Sequence, residues 1–173
     1  MYKDSPLEAI VKGAMAGLAG TLAITIAMNR GPELMQRLGL SSPQPAAQPP
    51  SGEPPSGQSP TEKLADKISS GILEQPLEPG TLRVAGQAIH WSYGAMWGAL
   101  YGVLESSFRL PTLVHGAIFG AAVGLVSATA VPALGLSGSA RDKPVTLNTA
   151  QMANHLIYGF FTAIAFRLLS RDA

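Results

Sequence analysis

The sequence predicts an all-α membrane protein, a bundle of four transmembrane helices, and three observations carry that reading. Charge avoids four long windows: Ala9 to Asn29 contains only Lys12, while Val84 to Leu104, Pro111 to Val131 and Val145 to Phe166 contain no Asp, Glu, Lys or Arg. Each window is 21 or 22 residues long, enough at about 1.5 Å per residue to cross a hydrocarbon core about 30 Å thick. Within these windows apolar residues occur all round the helix instead of forming one stripe or alternating strictly, which fits helices in lipid better than a soluble bundle or a barrel.

Composition narrows the class further. Charged residues make up 13% of the 173-residue chain against 46% apolar, about half the charge of an ordinary soluble domain. The net charge of +1 gives no electrostatic footprint for nucleic acid. The absence of cysteine excludes disulfides, Cys-ligated metal centres and thiol nucleophiles.

Along the chain, Ala9 to Asn29 reads as the first span. Asp4 and Glu8 interrupt the basic front that a cleavable signal peptide would carry. Arg30 to Leu40, with Leu34, Met35 and Leu38, suggests a separate interfacial turn. The proline-rich stretch from Ser41 to Pro60 cannot bury a core and reads as an extended linker. Ser59-Pro60-Thr61-Glu62 then has the form of a capping box, and Leu64, Ile68 and Ile72 follow at spacing four. This predicts an amphipathic helix over Pro60 to Leu73, lying on the membrane surface or against a partner.

The remaining windows supply three more spans and a hint of duplication. Lys12 to Met28 placed over His115 to Val131 gives six identities in 17 positions, among them Gly13/Gly116 and Gly17/Gly120. The second and fourth windows share His90-x-x-Tyr93-Gly94 and His155-x-x-Tyr158-Gly159. Two helical hairpins repeated in parallel would produce both matches. Positive charges near the span ends are evenly divided, and we place both chain ends on the cytoplasmic side.

Candidate functional residues fall into two groups. Gly94, Gly98 and Gly102 form one ridge of bare backbone, and Gly116, Gly120 and Gly124 form another. Such ridges permit close helix packing, within the chain or against another subunit. All three histidines, His90, His115 and His155, fall inside predicted spans, where an ionisable group raises a functional question. His90 and His155 are candidate cofactor-binding residues, as axial ligands of haem b or as part of a quinone or proton site. The plainer alternative has them hydrogen-bonding across the bundle to Tyr93, Tyr158, Gln87, Gln151 or Asn154. No Asp or Glu lies within a predicted span, so acid–base catalysis, a metal site and a carboxylate-based ion carrier are not expected.

The order of landmarks resembles a known family. Ala16-Gly17-Leu18-Ala19-Gly20-Thr21-Leu22-Ala23, Glu62-Lys63-Leu64-Ala65, His90-x-x-Tyr93-Gly94-Ala95-x-x-Gly98, Val131-Pro132-Ala133-Leu134-Gly135-Leu136 and Asn154-His155-Leu156-x-Tyr158-Gly159 occur in the order seen in the YagU-like family of bacterial inner-membrane proteins, a domain of unknown function. The resemblance implies a multi-helix inner-membrane protein with a loose link to acid tolerance. Family members often carry an acidic residue before the Val-Pro-Ala-Leu-Gly-Leu segment, where this chain has Ser127, Ala128, Thr129 and Ala130.

The expectation is therefore a non-enzymatic, multi-pass protein of the bacterial inner membrane that needs no cofactor. It would contact the lipid bilayer and other membrane-protein subunits as an accessory or assembly factor. A haem-, quinone- or proton-handling protein, or a small transporter or channel, are the alternatives.

Overall fold

A computed structural model describes residues 5–39, 57–108, 110–139 and 141–171, and among them there is helix and no strand. Five helices follow in order: α1 (Pro6–Arg37), α2 (Pro60–Ile68), α3 (Pro79–Ser107), α4 (Thr112–Ala133) and α5 (Val145–Leu169). A π-helical turn, Ser69–Leu73, extends α2. The proline-rich linker lies outside the described residues as far as residue 56.

Two helices start with the same local chemistry. Ser59 Oγ accepts from the Glu62 amide, and the Ser59 amide donates to the Glu62 carboxylate at 2.7 Å, so the expected capping box closes. Ser5 and Glu8 form an equivalent box at the start of α1, which gives Glu8 a structural task in that Ser-Pro-x-Glu sequence.

α1 departs from expectation at its far end. Arg30 to Arg37 continues the first helix without a break through Gly31-Pro32, and an Arg37–Glu33 ion pair one turn apart supports the exposed end. The expected separate turn is therefore the last part of a 32-residue helix.

Among the described residues three helices are long and apolar enough to cross a membrane, those covering Pro6–Gly31, Thr112–Ala133 and Val145–Leu169. α3 is 29 residues long, but Gln87, His90, Ser92 and its glycines make it less apolar. Fewer than two-fifths of the residues in each apolar window are buried. Leu22, Ile26, Ile118, Leu125, Phe161 and other large side chains instead point outward, as expected where lipid replaces water as the solvent.

The bundle is assembled from two hairpins, α1 with α3 and α4 with α5, joined along α1 and α5. Both glycine ridges pack inside the chain. Gly94, Gly98 and Gly102 face Thr21, Gly13, Gly17 and Ala9 of α1, and a Cβ on Gly17 would lie 2.7 Å from Gly98 Cα. Gly116, Gly120 and Gly124 face Gly159, His155, Leu156 and Met152 of α5, and a Cβ on Gly159 would lie 2.7 Å from Gly120 Cα.

These contacts also locate the limit of the repeat. Gly98 lies against Gly13 and Gly17, and on α5 that place against Gly116 and Gly120 belongs to Gly159. The His-x-x-Tyr-Gly match pairs Gly159 with Gly94, so the second hairpin packs one helical turn out of register with it. His90 faces Thr25, whereas His155 lies against Gly124, the counterpart of Thr21.

The two seams between hairpins differ more strongly. On α1, Ala16 and Gly20 let α5 approach until a Cβ on Gly20 would meet the Tyr158 carbonyl at 2.8 Å. Their counterparts on α4 are Phe119 and Val123. Phe119 packs edge-on against Trp97 and Tyr101 of α3, with ring centroids 6.2 and 5.0 Å apart. Bulk on this seam holds α3 and α4 apart and leaves a cavity above the aromatic layer.

Candidate functional site: a cavity between α3 and α4

The cavity measures about 420 Å³ and is bounded by all four long helices, within the usual size range of small-molecule sites. Trp97, Tyr158, Val123 and Ile24 form its inner wall. His90, Tyr93, Ser127, Gln151 and His155 lie above them, with Ser137, Lys143, Asn148 and the start of α2 at the outer rim. The apolar wall and polar rim suit an amphipathic molecule.

Hydrogen bonds fix both histidine tautomers. Thr25 Oγ1 gives its single proton to the Thr21 carbonyl at 2.7 Å. It must therefore accept at its 3.2 Å contact with His90, whose Nε2 is the donor. His155 instead donates Nδ1–H to the Gln151 carbonyl, one turn back on its own helix, at 2.8 Å. In the neutral ring Nε2 is then the acceptor. The structure brings both candidate histidines to one cavity but assigns their nitrogens differently. A bis-histidine haem needs Nε2 of each ring turned to the iron, and the Nε2 of His90 is engaged by Thr25.

Two tyrosines stitch the hairpins around the cavity. Tyr158 Oη donates to the Gly94 carbonyl at 2.7 Å across α5 and α3. Tyr93 Oη lies 3.4 Å from Ser127 Oγ across α3 and α4. Tyr93 and Tyr158 therefore bond to groups other than the histidines. Among the suggested histidine partners, Gln151 alone serves, through its backbone carbonyl.

The outer rim is built by the connections. α2 packs on α3, where Gly86 admits Glu62, so this amphipathic helix rests on its own chain. Lys67 reaches from α2 to donate to the Leu134 carbonyl at 2.7 Å. That carbonyl belongs to a Schellman end of α4: Leu136 N–H bonds to the Val131 carbonyl, Gly135 N–H bonds to the Pro132 carbonyl, and Gly135 is left-handed with φ 66°.

The third histidine belongs to a separate cluster at the opposite end of the bundle. His115 Nδ1 contacts Glu105 Oε2 closely, and Tyr101 Oη donates to the same carboxylate oxygen at 3.1 Å. His115 and Tyr101 are buried. Glu105 lies one residue beyond the predicted span, but α3 runs to Ser107 and takes it in. The helix thus includes a carboxylate that the charge-free window excluded. The spacing of four from Tyr101 is the sequence signal that could have found it.

No group of three or more metal-ligating side chains occurs among the described residues. No protein-family model, curated protein or solved structure matches this chain.

Proposed function

We propose that this chain is a four-span protein of the bacterial inner membrane that binds a small amphipathic molecule of the quinone class in the cavity between α3 and α4. The cavity itself carries the reading: an aromatic and aliphatic wall lies beneath a rim of hydrogen-bonding side chains. The resemblance to the YagU-like family supports a multi-helix membrane protein of this kind. An accessory role drew on glycine ridges open to another subunit, and the ridges are occupied within the chain. Exposed apolar surface alone supports that role now, and it is equally suited to lipid.

Four spans place residue 173 and the proline-rich linker on opposite sides of the membrane. Reporter fusions at Ala173 and Pro50 should therefore respond in opposite compartments, with the Ala173 fusion cytoplasmic. Matching signals would remove α3 from the membrane.

The binding reading is tested with 2-decylquinone and protein in lipid nanodiscs. Ala128 lines the cavity, so Ala128→Phe should fill space there and weaken binding at least about tenfold, the equivalent of about 1.4 kcal/mol. Unchanged affinity in a folded variant would place the probe elsewhere and refute the cavity as its site.

A further inference from the structure

We infer that the cavity selects the reduced, hydroxyl-bearing form of such a ligand, with His155 Nε2 accepting the ligand's O–H. This rests on the proposed binding function and specifies its chemistry. Both histidines are anchored by their own chain and each keeps one acceptor nitrogen, Nδ1 of His90 on the side of the ring next to its own Cβ and Nε2 of His155 at the far edge of the ring. The Nε2–H of His90 is committed to Thr25, whose own proton goes to the Thr21 carbonyl. His155 commits Nδ1–H to Gln151, which leaves Nε2 as the acceptor of the neutral ring.

His155 lacks a counterpart to Thr25, because the repeat puts Ala128 at that position and the one-turn register difference sets His155 beside Gly124, neither of which has a hydroxyl. Met152 provides sulfur on the same side. His155 lines the cavity together with Tyr93, Trp97 and Tyr158. An acceptor nitrogen beside aromatic walls suits an aromatic ring bearing a hydroxyl, because the walls accommodate the ring and the nitrogen accepts its proton. A quinol provides that donor. The corresponding quinone presents a carbonyl oxygen, and two acceptors facing each other cannot form the bond.

The test compares 2-decylhydroquinone, 2-decylquinone and the dimethyl ether of the hydroquinone by calorimetry, using the full chain in nanodiscs under anaerobic conditions. Wild type should bind the hydroquinone about tenfold tighter than the other two, as expected for one gained hydrogen bond without an unsatisfied partner. His155→Phe should reduce this preference to about twofold or less while still binding the quinone, which also shows that the variant is folded. If His155→Phe does not accumulate, His155→Gln decides in its place. Its amide both donates and accepts, so the preference should fall through tighter quinone binding. Equal affinity of wild type for all three probes overturns the inference while leaving the cavity-binding function intact. So does a preference that survives in the decisive His155 variant. Failure of all three to bind wild type overturns both.

Discussion

Gly98→Leu should abolish accumulation of the folded protein, and Gly98→Ala should destabilise it by about 1–3 kcal/mol, as overpacking typically does. A Cβ at this position would collide with backbone atoms of Gly13 and Gly17, and backbone cannot yield as a side-chain tip can. Separating α1 from α3 to make room would sacrifice the longest helix contact in the bundle, which in lipid depends on close packing with little hydrophobic drive. Gly71→Ala and Gly80→Ala meet nothing within 4 Å and should behave as wild type. Yield after membrane extraction and unfolding in mixed micelles measure the difference. A well-folded Gly98→Leu protein would show that α1 and α3 do not meet at this crossing.

Glu105→Leu should cost about 1–3 kcal/mol, the usual penalty for leaving a buried polar group without its hydrogen-bond partner. Its carboxylate is the shared acceptor for His115 and Tyr101, so one substitution leaves two buried polar groups without that partner. The side chain of Glu105 retains 21% exposure against 8% for His115, and water reaching it limits the loss. In the double variant Glu105→Leu/His115→Leu, the two costs should fall short of additive by at least about 1 kcal/mol, because the second change removes a group already stranded by the first. Strict additivity in unfolding experiments would show that the contact contributes no coupling.

The sequence made the helices legible because their signals are local. Ser59 to Glu62 specified a helix start, and the charge-free windows marked the interiors of α3, α4 and α5. The end of α1 was less legible: the residues from Arg30 to Arg37 are polar enough to resemble an interface, yet a helix may continue beyond its apolar segment with only its own hydrogen bonds and an Arg37–Glu33 pair. The glycine ridges announced close packing but not its partner, since spacing four specifies one face and says nothing about what covers it.

The candidate site was legible in part. The shared His-x-x-Tyr-Gly pattern pointed to His90 and His155, and both line the cavity. Their inequivalence has two sources: Thr25, the partner of His90, is matched by Ala128 in the repeat, and the hairpins pack one helical turn out of register, which no single helix encodes. Glu105 was missed because a charge-free window ends at the first carboxylate by construction, even when the helix continues and turns that carboxylate inward. Phe119 and Val123 read simply as apolar residues. Their importance appears only beside Ala16 and Gly20, whose small size closes the other seam.

The unequal seams give the bundle the mechanics of a spring clip. Each glycine-packed hairpin is a stiff arm, and the α1–α5 contact is the fulcrum. α3 and α4, which touch far less than α1 and α3, α4 and α5, or α1 and α5 do, are the jaws. Tyr93–Ser127 and Lys67–Leu134 latch the jaws around the cavity, while Glu105–His115 latches them at the other end. Widening the gap therefore stretches a few side-chain contacts and leaves the backbone-to-backbone packing of both arms intact. The gap between α3 and α4 is thus closed by polar latches distant in sequence from the glycines that give the arms their stiffness.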